Sequence, residues 1–263
     1  MAAPGGRVRI RPRMAAVRLV VPSERTQLSR LLDERSAADA MAGYYALHHP
    51  PERVSIFAYY ASNGVPSAFL AVARTGVDLF RPLVIPFVAQ PSGMQALLKA
   101  ALSAGRPVLV HAPLEQRAWV EAAATLSHVR VFELLRLDLR AFEPIANVLV
   151  VEARTPAGWP RYEIRSGEVV HVAAGLNWKG PAFAEVYLDV NPEVRGRAFG
   201  RSALAAIAGR LLSESIIALY RVPDDDPLGR AEARRLGFRS TGVRTFEAQA
   251  LLPEAEPIPE RQA

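Results

Sequence analysis

One order of elements is written twice in this sequence, and that repetition limits the fold more than any other feature. Apolar residues alternating with period two predict strands, and apolar residues recurring every three or four positions predict helices. In the first half, "RVSIFAYYASNGVPSAFLAVAR" reads as two strands around Asn63 and Gly64, a dipeptide suited to a tight hairpin. A third strand follows in "LFRPLVIPFVA", broken by Pro82 and Pro86. Then come a helix over 93–102, the strand "PVLVHA", a helix over 114–126 and the strand "VRVFELLRLDL". The second half opens on the apolar run "NVLVVEA" and the hairpin "RYEIRSGEVVHVAAGLNW" around Ser166 and Gly167, then the strand "AFAEVYLDV". A helix, "RGRAFGRSALAAIAGRLLSE", carries Leu204, Ile207 and Leu211 on one face, and the strand "SIIALYRV" follows it. The short helix "PLGRAEARRLG" has Asp226 at its cap and Pro227 in its first turn, and "RSTGVRTFEAQA" closes the chain's ordered part. Both halves therefore read strand, strand, strand, helix, strand, helix, strand, without any residue-level repeat. We expect two copies of one α/β unit, over 15–142 and 143–250, between a basic arm at 1–14 and a Pro- and charge-rich tail at 251–263. The first copy has an extra helical stretch in front, starting at a Ser23 cap, with Leu28, Leu31, Leu32 and Ala38 near helical spacing.

Composition removes whole classes of chemistry. The 263 residues are half hydrophobic, enough for one large core or two small ones. With no cysteine there is no disulfide, no thiolate metal ligand and no cysteine nucleophile, which fits a reducing, cytoplasmic location. The histidines His48, His49, His111, His128 and His171 form no His-Glu-x-x-His pair, so no metal is expected. No apolar run has the length to cross a bilayer, and "MAAPGGRVRIRPRM" lacks the apolar core of a signal peptide, so no membrane partner is expected. The net charge is +6, and only Lys99 and Lys179 among the 32 basic residues are lysines. The basic residues are scattered among acids with no aromatic-interleaved stripe, so nucleic acid is not the expected partner. A basic protein still favours an anionic partner somewhere.

The stretch "VNPEVRGRAFGRSAL" at 190–204 offers a place for that anion. It joins a strand to the start of a helix, where backbone N–H groups and the positive end of the helix dipole converge. Arg195, Arg197 and Arg201 add charge, while Gly196, Ala198 and Gly200 keep the backbone approachable. Other phosphate and catalytic motifs do not fit. There is no Walker lysine, "GRAFGR" does not match Gly-x-Gly-x-x-Gly, and Leu204 ends the Gly-x-Ser-x-Gly pattern that Ser202 begins. A diphosphate suits the stretch.

At these residues the chain resembles the GCN5-related N-acetyltransferase (GNAT) superfamily. Arg195, Ala198 and Gly200 occupy the three defined positions of its acyl-CoA-binding motif, [QR]-x-x-G-x-[GA]. "DDDPLGRAEARRLGFRSTG" resembles the second signature, with Leu236, Gly237 and Phe238 at its turn. The resemblance is clear over 161–248. In the first half it rests on element order alone, because the matching loop "VIPFVAQPSG" lacks the Arg/Gly pattern, as in tandem members with a degenerate copy. It implies two units, each a mixed, mostly antiparallel twisted sheet flanked by helices. It also implies acetyl-CoA or another acyl-CoA as cofactor, held by Leu188, Asp189, Val190, Arg195, Gly196, Arg197, Ala198, Phe199, Gly200, Arg201, Ser202 and Asp226. The implied reaction moves the acyl group to a primary amine on a small molecule or peptide. Ala198 stands at the motif's central glycine, Asp226 where an asparagine is frequent, and Ala233 where a tyrosine often acts as acid.

Acyl transfer to an amine needs a group to take a proton and a group to protonate the leaving sulfur. Alternation places Phe183, Glu185, Tyr187 and Asp189 on one strand face, which makes Glu185 the candidate base. Tyr220 is the candidate acid in place of the missing tyrosine, and Asn177 and Trp178, at a hairpin tip, are candidate substrate contacts. The alternatives are an acyl-CoA-binding sensor or scaffold without catalysis, and a basic protein associated with nucleic acid. A homodimer stays open.

Overall fold

The computed structural model describes residues 16–76 and 78–254. The arm expected at 1–14 and the tail beyond 254 lie outside the described residues. Twelve strands form one sheet. The first half supplies β1 (Ala16–Leu19), β2 (Val54–Tyr60), β3 (Pro66–Ala73), β4 (Leu83–Phe87), β5 (Val108–Pro113) and β6 (Thr125–Leu137). The second supplies β7 (Val151–Arg154), β8 (Pro160–Ser166), β9 (Val169–Lys179), β10 (Phe183–Val190), β11 (Ile217–Pro223) and β12 (Phe238–Leu251). The spatial order is β1-β2-β3-β4-β5-β12-β6-β11-β10-β9-β8-β7. Each half lays down five strands in sequence and then gives its last strand to the other half. β12 pairs with β5, and β6 pairs with β11. The split at 142/143 therefore divides the chain but not the sheet, and neither half keeps a complete set of its own strands. All strand pairs are antiparallel except β4 with β5 and β10 with β11.

Those two parallel pairs part early, and the partings place the site. β4 pairs with β5 only at Leu83 and Val84, yet continues along β3 to Phe87. β10 pairs with β11 only through Val186, yet continues along β9 to Val190. Beyond those points the facing strand edges have no ladder partner. One helix follows each opened strand: α2 (Pro91–Ala101) after β4 and α4 (Phe199–Ser213) after β10. Each buries an apolar stripe. Met94, Leu97 and Leu98 of α2 pack on Val84, Val110 and Phe246. Leu204, Ile207 and Leu211 of α4 pack on Val172, Val186 and Ala218. A fully buried Leu or Phe contributes about 1.5–3 kcal/mol, so these stripes hold the helices on the sheet.

A third cluster fills the opposite face, where the segment at 22–48 lies across both halves and packs on Phe69, Trp178, Phe183 and Leu219. That segment is less regular than expected. It is a 3-10 helix (Pro22–Leu31), a short α1 (Ala40–Gly43) and a π-helical turn (Tyr44–His48), and Ser23 makes no capping bond. Buried Arg25 accounts for its ending: the guanidinium donates to the carbonyls of Ala46, Tyr45 and His49 at 2.6, 3.0 and 3.0 Å. The expected helix at 114–126 is also shorter. A 3-10 turn (Leu114–Gln116) leads into α3 (Arg117–Glu121), and β6 starts at Thr125 because pairing with β12 claims it. The last helix, α5 (Pro227–Arg235), ends at Gly237, whose φ is +103°. A Cβ there would sit 2.6 Å from the Ala141 carbonyl oxygen, so only glycine fits the Leu-Gly-Phe turn. At the chain's far end the tail expected from 251 begins later. Leu251 completes β12, Leu252 is buried, and its carbonyl accepts from Gly105 at 3.1 Å. Among the described residues no helix is long and apolar enough to cross a membrane.

Candidate functional site

The turn between β10 and α4 lies open on the surface. Arg195, Gly196, Arg197 and Ala198 are exposed. Gly196 and Ala198 both adopt the left-handed backbone, at φ +81° and +58°. The resulting twist turns successive N–H groups outward. Arg195 and Arg197 donate within the turn, to Pro192 and Val194 at 3.3 Å, and the first bond of α4 runs from Ser202 N–H to the Ala198 carbonyl at 3.2 Å. The amides of Gly196, Ala198, Phe199, Gly200 and Arg201 have no protein acceptor among the described hydrogen bonds, and no side chain caps the helix. Arg195 and Arg197 have no acidic partner among the described ion pairs. Free donors, two unpaired guanidiniums and a helix dipole thus converge beside the open edge of β10 at 187–190. The donor set fits a diphosphate.

Not every residue assigned to that site by the sequence faces it. Ser202 is buried, its hydroxyl accepts from Asn147 Nδ2 at 3.1 Å, and its amide is taken, so it is a packing residue. Arg201 leans onto α5, 3.6 Å from Glu232. Gly200 serves packing too: a Cβ there would lie 3.2 Å from both Leu188 and Val190, whose side chains fill the space under α4. Phe199 is half-buried against the same cluster, and Asp189 is exposed on the other face. Asp226 accepts from Gly229 N–H at 2.8 Å and caps α5, so its carboxylate is occupied.

The two candidate catalytic side chains stand on opposite faces of the sheet. Register aligns Val186 with Tyr220 and Glu185 with Leu219, so Tyr220 points toward α4 and Glu185 away from it. Tyr220 lies edge-on to Phe238 at 5.9 Å, and burial, then the Asp226 charge, pushes its pKa up to about 12. It holds its proton throughout the neutral range.

Glu185 is not the free carboxylate the sequence suggested. It is 1% exposed and fully engaged. Asn177 Nδ2 and Arg221 Nε donate to Oε1 at 2.7 and 2.9 Å, and Trp178 Nε1 donates to Oε2 at 3.1 Å. Two consecutive residues reach one carboxylate because the β9–β10 register shifts between Glu185 and Val186, a bulge that inserts an extra β9 residue. Asn177 and Trp178 therefore lie inside β9, not at a hairpin tip. The network then crosses to the other half. Arg221 Nη1 donates to His111 Nδ1 at 2.9 Å and approaches Glu247 at 3.5 Å. Burial opposes the guanidinium's charge, but Glu185 and Glu247 outweigh it and hold Arg221 protonated. Burial, then Arg221, drives His111 well below the usual imidazole range. His111 is thus neutral, with Nδ1 accepting and its proton on Nε2.

Arg221, His111 and Glu247 escaped sequence reasoning because the contacts join β11, β5 and β12 from different halves. The available signals were a lone Arg in "SIIALYRV" and a lone His in "PVLVHA", each a polar interruption of an apolar strand.

No family profile and no curated protein matches the chain. Solved structures do. A tandem GNAT protein from the clavulanic acid biosynthesis pathway is 13% identical, with 92% of this chain and 100% of that one covered at a TM-score of 0.58. A GCN5-related N-acetyltransferase from Sphaerobacter thermophilus is 12% identical over 92% and 98%, at 0.56. A Drosophila protein is 14% identical over 92% and 100%, at 0.65.

Proposed function

On a tandem GNAT-superfamily fold, we propose that the second half binds an acyl-CoA and that the protein transfers the acyl group to a primary amine. The open turn with its five unpartnered amides carries the reading. The amides of Gly196, Ala198, Phe199, Gly200 and Arg201, with the side chains of Arg195 and Arg197, would hold the cofactor's paired phosphates. Along the open edge of β10 at 187–190, including Leu188, Asp189 and Val190, every second backbone N–H would face the reacting carbonyl while the others serve the ladder to β9. When bound, acyl-CoA supplies an acyl group activated as a thioester. Tyr220, protonated and the last β11 residue paired with β10, is the proton source we assign on the α4 face. Glu185 acts through Arg221 as a positioning residue, since three donors already occupy its oxygens. Release of CoA thiol from acetyl-CoA in the presence of an amine panel tests this reading. Tyr220→Phe should slow turnover about 100-fold or more while acetyl-CoA binding holds, in the range expected for a general acid.

The engaged carboxylate of Glu185, together with Ala233, favours a second reading, an acyl-CoA-binding protein without catalysis. Tight acetyl-CoA binding with no thiol release against the whole panel would select it.

A further inference from the structure

The first half has its own strand opening, and it is not empty space of the same kind. Between β4 and β5 lies a cavity of about 420 Å³. Apolar side chains form most of its walls, among them Met41, Phe87, Leu134, Trp178 and Leu219. Its far wall belongs to the second half, for Glu185 and Arg221 line it. Arg221 follows Tyr220, the last β11 residue paired with β10. The cavity therefore reaches from one strand opening to the edge of the other.

Two buried polar atoms in this wall lack partners. Gln116 and Thr245 are each 8% exposed and line the cavity. Gln116 Oε1 and Thr245 Oγ1 have no hydrogen bond. An unmet buried polar atom is costly, so both sites favour a ligand that brings hydrogen-bonding groups. The charge of the wall is specific as well. The protein carries +6 overall, yet the cavity's ionised lining is Asp39, Glu115 and Glu185 against Arg221 and Arg244. Arg244 is paired outward to Asp224. Neutral His111 adds no positive charge. An acid-leaning, largely apolar cavity in a basic protein suits an organic cation, held by charge and by contact with the partly exposed ring of Phe87.

We propose that this cavity binds the acyl acceptor, and that the acceptor is a small primary ammonium with an aryl or alkyl body. The proposal rests on the acyltransferase reading for the word acceptor, but the binding site stands on the cavity alone. It excludes polyamines without an apolar body and amines dominated by a carboxylate, which the largely apolar, acid-leaning walls do not favour.

Calorimetric titration of the full-length protein with three ligands of one shape tests it: 2-phenylethylamine, 2-phenylethanol and 3-phenylpropanoate. Spermidine is the fourth titrant. The amine should bind at least about tenfold more tightly than the alcohol, with the acid weakest and spermidine weaker than the amine. Exposed Ala89 stands at the cavity wall. Ala89→Trp should weaken the amine about tenfold and leave CoA affinity within about twofold. Thr245→Val, nearly isosteric, should weaken the amine about threefold without lowering the thermal midpoint, and it decides the matter if the tryptophan variant fails to fold. Equal or tighter binding of the acid or of spermidine overturns the proposal, as does no binding of any of the three. So does an amine affinity that neither variant changes. Amine binding without CoA binding would keep the cavity and remove the transferase; CoA binding without amine binding would do the reverse.

Discussion

The two strand openings share one topology and have opposite chemistry. In each, a parallel pair parts, the first strand ends, and a helix packs back on the sheet. After β4 the connection to α2 is three residues, 88–90, with no charge in it. After β10 the connection to α4 is eight residues, 191–198, and it carries Arg195 and Arg197 on a backbone twisted left-handed at Gly196 and Ala198. The longer loop can expose free amides, whereas the shorter one leaves its opening to the acid-leaning cavity beside it. The sheet creates two topologically equivalent gaps, and loop length and charge make them differ: one carries arginines and unpartnered amides, the other an acid-leaning wall. The exchange of β6 and β12 makes the halves interdependent parts of one sheet.

Arg221 is where the two openings meet, and breaking it should have the largest effect. Arg221→Met strands the buried Glu185 carboxylate without its cation, which typically costs about 3–5 kcal/mol. Urea unfolding should show that loss, and Glu185→Gln combined with Arg221→Met should recover much of it. A loss below about 1 kcal/mol would mean that water, not Arg221, satisfies Glu185.

A pH effect should follow from the same junction. His111 has a folded pKa well below its unfolded value of 6.5. His49 is lowered too, by burial first. A histidine kept neutral by the fold binds protons more readily unfolded, so its presence is harmless above pH 6.5 and destabilising below it. As pH falls below 6.5, stability should fall by up to about 1.4 kcal/mol per pH unit from His111, with a smaller loss from His49. Thermal midpoints of His111→Gln across that range should show a shallower slope than the wild type; an unchanged slope would remove His111 from the network.

The helix starts can be compared directly. A Cβ on Gly200 would meet Leu188 and Val190 at 3.2 Å, whereas one on Gly93 would meet only Val88 at 3.2 Å. Alanine is favoured over glycine inside helices by about 1 kcal/mol, which offsets one tight contact more readily than two. Gly93→Ala should be near neutral and Gly200→Ala destabilising by about 1–2 kcal/mol. Equal effects would mean that α4 has as much room as α2. One substitution should bring a modest gain. Ala198 sits at φ +58°, where a side chain costs about 1–2 kcal/mol, so Ala198→Gly should stabilise by up to about 1 kcal/mol after backbone entropy is counted. The gain should appear in the unfolding midpoint.

Much of this was legible in the sequence, for identifiable reasons. Hairpins at Gly64 and Gly167 and the apolar stripe of α4 are local patterns, and local patterns survive into the structure. The same holds for the Arg/Gly turn, whose exposure follows from its own residues. The strand exchange was not legible, because pairing partners 85 residues apart, such as Tyr220 and Leu135, leave no local signature. Alternation places Glu185 on the face away from α4, but its partners come from a β-bulge in β9 and from β11. The irregular segment at 22–48 misled periodicity because Arg25, a charge in an amphipathic pattern, is buried to bind carbonyls.

The central claim is that the α4 turn holds the cofactor's phosphates and the β4 opening does not. Calorimetric titration of CoA into the wild type, Arg195→Ala with Arg197→Ala, and Ala89→Trp tests it most directly. We predict one CoA per chain, a loss of about 100-fold or more in the double arginine variant, and wild-type affinity in Ala89→Trp. No CoA binding to the wild type, or a loss in Ala89→Trp with the arginine variant unaffected, would contradict the assignment.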